Sequence, residues 1–86
     1  MIFLTLYSRS YCHLCDDMLE ALRAMPLAAG IEIAVIDIDK EQRFLEKFDE
    51  LVPVLAGRHD HEEEKVLCHY FLDTARVEHF LSEFAR

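Results

Sequence analysis

The chain places two cysteines three residues apart, in Cys12-His13-Leu14-Cys15. If this tetrapeptide opens a helix, the i, i+3 spacing brings both sulfurs onto one turn. A helix N-terminus offers orphan N–H donors and the positive end of the dipole, and both favour thiolate over thiol. Cys12 would then lie at the tip as the attacking sulfur. Cys15 would be recessed and able to resolve a mixed disulfide formed on Cys12. His13 adds positive charge when protonated. The plainer reading is a pair of ordinary core cysteines. A zinc site through the pair would need two further ligands, for which only distant residues such as His69 are available.

The flanking sequence supplies the elements that must position this pair. Ile2 to Tyr7 is β-branched and aromatic and reads as a buried strand, broken by Ser8-Arg9-Ser10. From Cys12 the pattern turns helical, with Leu14, Met18, Leu22 and Met25 on one face and Asp16 and Asp17 in the first turn. Pro26 and Gly30 mark the exit. Ile31 to Ile38 is apolar on both alternating faces and predicts a strand covered on both sides. A second helix is predicted over Glu41 to Glu50, with Phe44, Phe48 and Leu51 inward and Glu41, Glu46, Lys47 and Glu50 outward. Val52 to Ala56 predicts a strand, Gly57 to Lys65 a polar connection, and Val66 to Phe71 another strand. Asp73 or Thr74 can cap a last helix with Val77, Phe80, Leu81 and Phe84 in one stripe.

The order β-α-β-α-β-β-α starts with alternation, which implies parallel pairing and right-handed crossovers. It ends with two strands joined without a helix, which implies an antiparallel pair. A single α/β domain over residues 1–86, with a four-stranded mixed sheet and helices on both faces, accounts for all seven elements. Pro53 opens a strand, where proline is disfavoured unless it serves a bend. A cis bond there would turn the Val52 backbone outward beside the cysteines, where an extended cysteinyl chain could pair with it. A plain trans proline at a strand start fits the local sequence equally well.

Composition limits the partners. Apolar residues make up 52% and charged residues 30% of the 86, and the formal charge is −8. An acidic chain cannot neutralise a run of phosphates, so nucleic acid and anionic membrane surfaces are excluded as partners, and a basic protein partner is favoured. No apolar run is long enough for a membrane helix, and the short apolar start, Met1 to Tyr7, lacks a basic leader and a small-residue cleavage site, so a signal peptide is not expected. Three cysteines are too few for a secreted disulfide framework, so a reduced, cytoplasmic setting is expected.

Leu6-Tyr7-Ser8-Arg9, Cys12-His13-Leu14-Cys15 and Val52-Pro53-Val54, in this element order, resemble the glutaredoxins of the thioredoxin-fold superfamily. In particular they resemble small glutaredoxin-like proteins whose Cys-His-Leu-Cys type motif is followed by acidic residues. The resemblance implies a thioredoxin fold, a cis Pro53, Cys12 as nucleophile and Cys15 as resolving thiol. It implies thiol–disulfide exchange in a monomer with no tightly bound cofactor, on a disulfide-containing protein or with glutathione as co-substrate. Arg9 matches a basic position that helps hold the thiolate and a glutathione carboxylate. Tyr11 is expected as a partly exposed cleft wall, and His13, Val52, Pro53, Asp73 and Thr74 complete the expected substrate-binding set. The chain departs from the family in having His-Leu between the cysteines, Asp16 and Asp17 after them, and Phe71-Leu72-Asp73-Thr74 where a Gly-Gly turn is usual.

Other residues have plainer readings. Cys68 reads as a small buried hydrophobe, Tyr7 as core or rim, and His59 to Glu64 as a solvated loop rather than a metal site. Besides the oxidoreductase, two functions remain open from sequence. One is a non-catalytic binding module on the same scaffold; the other is metal handling through Cys12 and Cys15, with an iron–sulfur cluster left open by the glutaredoxin resemblance alone.

Overall fold

The computed structural model describes residues 1–84, without the Phe84 side chain; the place expected for that side chain in the last helical stripe lies outside the described residues. Four strands form one mixed sheet: β1 Ile2–Ser8, β2 Ile33–Asp37, β3 Val54–His59 and β4 Lys65–His69, in the order β2-β1-β3-β4. β1 runs parallel to β2, and β3 runs antiparallel to both β1 and β4. Three helices accompany it: α1 His13–Arg23, α2 Gln42–Phe48 and α3 Thr74–Phe84. This is the predicted element order.

Alternation along β1 divides the core in two. Leu4 and Leu6 face α1 and α3, meeting Met18, Leu22, Val77, Phe80 and Leu81. Tyr7 faces the other way, meeting Phe48 of α2 with Val54 and Ala56 of β3. Leu4, Leu6, Leu22 and Leu55 are essentially inaccessible. Each such side chain contributes roughly 1.5–3 kcal/mol on burial. Helices thus cover both faces, although α2, at seven residues, covers only one end of its face.

Several local expectations need correction. β2 is an edge strand rather than one covered on both sides: Ala34 is exposed and Val35 is 49% exposed. Among the described residues, no strand pairs with its far edge. In α1, Leu14 is exposed and Cys15 takes the inward place with Met18 and Leu22. Leu51 is likewise exposed, beyond the end of α2. β3 starts at Val54 and runs through Gly57 and Arg58 to His59, so the polar connection is confined to 60–64. β4 stops at His69, because Tyr70 takes a left-handed φ of 64°.

The helix ends follow elementary capping rules. Asp73 Oδ1 accepts a hydrogen bond from the Arg76 amide at 3.1 Å and caps α3. Arg23 lies in the last turn of α1, where the dipole favours a cation. A short 3-10 turn over Pro26–Ala28 follows, and Gly30 at φ 82° redirects the chain into β2.

Candidate active site

Strand polarity fixes where the chemistry can sit. The C-terminal ends of β1, β2 and β4 and the N-terminal end of β3 lie at the same edge of the sheet. The segments 9–12, 37–41, 49–53 and 70–73 therefore converge there. The cysteine pair leaves β1 through the first of them.

Cys12 is the N-cap of α1. Its backbone is extended (φ −105°, ψ 104°), its carbonyl accepts the Asp16 amide at 3.1 Å, and its Sγ accepts the Cys15 amide at 3.1 Å. Any negative charge on this sulfur therefore faces an orphan helix donor. Cys12 and Cys15 form a disulfide with Cα atoms 5.2 Å apart. Cys12 is half-buried while Cys15 is only 3% exposed, so solvent reaches the two sulfurs unequally.

Arg9 organises the surrounding loops. Its Nη2 and Nε donate to Asp39 at 2.7 and 3.3 Å, and its Nη1 donates to the Asp49 carboxylate at 2.9 Å and the Asp49 carbonyl at 3.3 Å. The Asp39 hydrogen bonds raise Arg9 further above its ordinary range, and Arg9 in turn holds the Asp39 carboxyl below the usual carboxylate range. Ser10 donates to Asp37 at 3.2 Å, and Asp37 also accepts the Asp39 amide at 3.0 Å. The guanidinium expected to meet a thiolate or a substrate carboxylate is thus committed to two aspartates.

The proline loop is pinned from the other side. The Val52–Pro53 bond is cis, as the family resemblance implies. The Tyr70 amide donates to the Pro53 carbonyl at 2.9 Å, and the Tyr70 hydroxyl donates to the Glu50 carbonyl. Among the described residues, nothing hydrogen-bonds the backbone N–H or carbonyl of Val52.

The remaining expected residues fall as follows. Tyr11, at φ 59°, is fully exposed rather than a partly exposed wall. His13 is the exposed first residue of α1. Asp73 and Thr74 sit at the start of α3, and Asp73 is occupied as its cap. Sequence reasoning missed Asp39, Asp49 and Tyr70. The aspartates lie 30 and 40 residues from Arg9, and their only local signal is their place beside the C-terminal end of β2 and the proline loop.

Residues set aside in the sequence have structural partners. Cys68 is buried on β4, and burial pushes its thiol up. His59 belongs to β3; its ring stacks on Phe80 at 4.2 Å, and its Nε2 donates to the Phe80 carbonyl at 3.1 Å. Asp60 pairs with the chain's amino terminus at 2.7 Å, and Glu64 accepts the Tyr7 hydroxyl at 2.8 Å. Among the described residues, no group of three or more His, Cys, Asp or Glu side chains is arranged to hold a metal ion, and no helix is long and apolar enough to cross a membrane. A cavity of about 700 Å³ opens beside the N-terminal half of β1, lined in part by Phe3, Leu27, Ile31 and Arg58, and includes neither cysteine.

A mixed sheet with this order, a CxxC pair capping the first helix and a proline loop at the same sheet edge define a thioredoxin-fold protein of the glutaredoxin-like class. The family model described as glutaredoxin-like domain (DUF836) matches residues 3–82, and the chain belongs to that family. Protein Ne2328 from Nitrosomonas europaea is similar at 35% identity and a TM-score of 0.78, covering 92% of this chain and 89% of that one. Protein XcR50 from X. campestris is similar at 31% identity and a TM-score of 0.65, covering 93% and 96%. The oxidised mitochondrial thioredoxin 3 of Saccharomyces cerevisiae shares the fold, with a TM-score of 0.69 at 11% identity over 95% of this chain and 77% of that one. No functionally curated protein matches the sequence.

Proposed function

We propose that the protein is a small thiol–disulfide oxidoreductase acting on disulfide-bearing polypeptides. The observation that carries this reading is the unequal cysteine pair: Cys12 is the accessible cap of α1 and Cys15 lies buried one turn inward. In the dithiol form, Cys12 thiolate attacks one sulfur of the substrate disulfide. The substrate S–S bond breaks, one substrate thiolate leaves, and a Cys12–substrate mixed disulfide forms. Cys15, having lost its proton to water or to the departing thiolate, attacks Cys12 Sγ. The mixed disulfide breaks, the second substrate thiolate leaves, and the Cys12–Cys15 disulfide results. The substrate has gained two electrons and the protein has lost two. An external thiol reductant returns the pair to the dithiol.

The chemistry resides in two sulfurs of one chain, so a monomer without a bound cofactor suffices. The open Val52 backbone and the exposed Tyr11, Leu14, Leu51 and Phe71, all on segments at the cysteine end of the sheet, support an extended polypeptide as substrate. A reducing compartment such as the cytoplasm suits a pair that must return to the dithiol.

The test uses intact-mass analysis of wild type, Cys15→Ser and Cys12→Ser after exposure to a disulfide-linked peptide. Cys15→Ser should trap one peptide on Cys12, wild type should end as the internal disulfide, and Cys12→Ser should release no reduced peptide. Full reductase activity in Cys12→Ser would overturn the assignment.

A further inference from the structure

We infer that the cysteine pair discriminates among disulfides by charge, accepting cationic ones and disfavouring anionic ones such as oxidised glutathione, with Asp39 and Asp49 as the specificity-determining residues. The inference rests on the exchange reading above and names the substrate class of that same site.

The cysteine end of the sheet is poor in cations. Residues 9–17 and the segments 37–41, 49–53 and 70–73 carry eight carboxylates against two permanent cations, Arg9 and Lys40. Asp16 and Asp17 lie immediately after the pair, and both are exposed. Arg9 is only three residues before Cys12, but both faces of its fork are spent, on Asp39 at 2.7 Å and on Asp49 at 2.9 Å. A guanidinium held by two carboxylates presents no net positive charge to an approaching anion. An incoming carboxylate would have to displace an aspartate from a contact already made.

Disulfide exchange makes this consequential. The attacking sulfur is anionic, and a second anion is released at each step. An anionic disulfide brings further negative charge to a site where Arg9 is already paired and Lys40 is the one other permanent cation against eight carboxylates. A cationic disulfide finds carboxylates on several sides and stabilises the thiolates it leaves. Fields of this kind change association rates by roughly ten- to a thousandfold at low ionic strength and fade as salt shortens the screening length. The exposed apolar side chains Tyr11, Leu14, Leu51 and Phe71 add contact that does not depend on charge. The substrate the site fits is therefore a cysteinyl segment flanked by lysine or arginine and an apolar residue.

The experiment oxidises the reduced full-length protein with cystamine (cationic), hydroxyethyl disulfide (neutral) and oxidised glutathione (anionic). Formation of the Cys12–Cys15 disulfide is followed by intact mass, and each rate is divided by that of the same reagent with dithiothreitol. At low salt the normalised rates should fall in that order, with roughly tenfold between the extremes, and the spread should collapse in high sodium chloride. The variant carrying Asp39→Asn and Asp49→Asn should gain several-fold toward oxidised glutathione and lose toward cystamine. Equal normalised rates in wild type, or a spread unchanged by salt, would overturn the charge inference while leaving exchange intact. An unchanged ratio in the folded double variant would remove Asp39 and Asp49 as its determinants. If none of the three reagents oxidises the pair, the exchange reading fails, and this inference with it.

Discussion

Replacing Gly57 by alanine tests the packing between β3 and α3. A Cβ built at Gly57 would lie 2.6 and 2.7 Å from Phe80 Cε2 and Cζ and 3.2 Å from Leu67 Cδ1. The first two distances are far inside van der Waals contact, so the Phe80 ring must move. That ring is 5% exposed and stacked on His59 at 4.2 Å, with His59 also bonded to the Phe80 carbonyl. Overpacking of this kind costs about 1–3 kcal/mol. Restricting the unfolded chain by replacing glycine returns about 0.4–1 kcal/mol. The net loss is then roughly 1–2 kcal/mol, and in a domain of this size each kcal/mol moves Tm by about 4–8 °C. Thermal unfolding of oxidised Gly57→Ala should show Tm lower by about 5–15 °C. Adding Phe80→Leu should recover part of that loss, because the smaller side chain vacates the clash. An unchanged or raised Tm in the single variant would refute the reasoning.

Two titrations carry further predictions. Burial, reinforced by the hydrogen bond to Glu64, holds the Tyr7 hydroxyl well above its ordinary value. The folded state therefore keeps a proton that the unfolded state loses above about pH 10, and stability falls as pH rises through that value. Urea unfolding at pH 8 and pH 11 should show wild type losing about 1.4 kcal/mol more than Tyr7→Phe; equal losses would count against the buried hydroxyl. Asp39, held low by Arg9, contributes stability that is present above the unfolded carboxylate value near pH 4 and is lost as pH falls through the lower folded value. Asp39→Asn should flatten the dependence of Tm on pH below about pH 4, and an acid limb identical to wild type would show that the Arg9 pairing does not persist in solution.

What could be read from the sequence followed from local chemistry. The i, i+3 cysteines, Asp16 in the first turn and the apolar stripe place α1, and Val77, Phe80 and Leu81 place the buried face of α3. Misreadings arose where a residue's role depends on a distant neighbour. Gly57 looks like a strand breaker, yet it continues β3 in the space left for Phe80. Ile31 to Ile38 looks like a strand covered on both sides, but periodicity cannot tell which strand ends the sheet. Leu14 and Cys15 are both apolar enough to face inward, and the turn geometry chooses Cys15. Arg9 could be recognised as important, but not that Asp39 and Asp49 would take both sides of its fork.

The two ends of the molecule are held by different forces, and that separates the effects of mutation. Along the body of the sheet, side chains with almost no exposure are fixed by packing, so a change such as Gly57→Ala acts on stability through Phe80. At the cysteine end, the loops are fixed by polar contacts: Arg9 ties residues 39 and 49 to the segment before Cys12, and Tyr70 ties Glu50 and Pro53 to the end of β4. Those contacts are exposed and exchange readily with water, so they add little to global stability. On the charge inference above, the Arg9 contacts matter because they leave the cation nearest in sequence to Cys12 already paired. Changes at Asp39 and Asp49 should therefore alter the choice of disulfide at neutral pH more than they alter Tm, whereas changes at Gly57 should lower Tm and leave that choice intact.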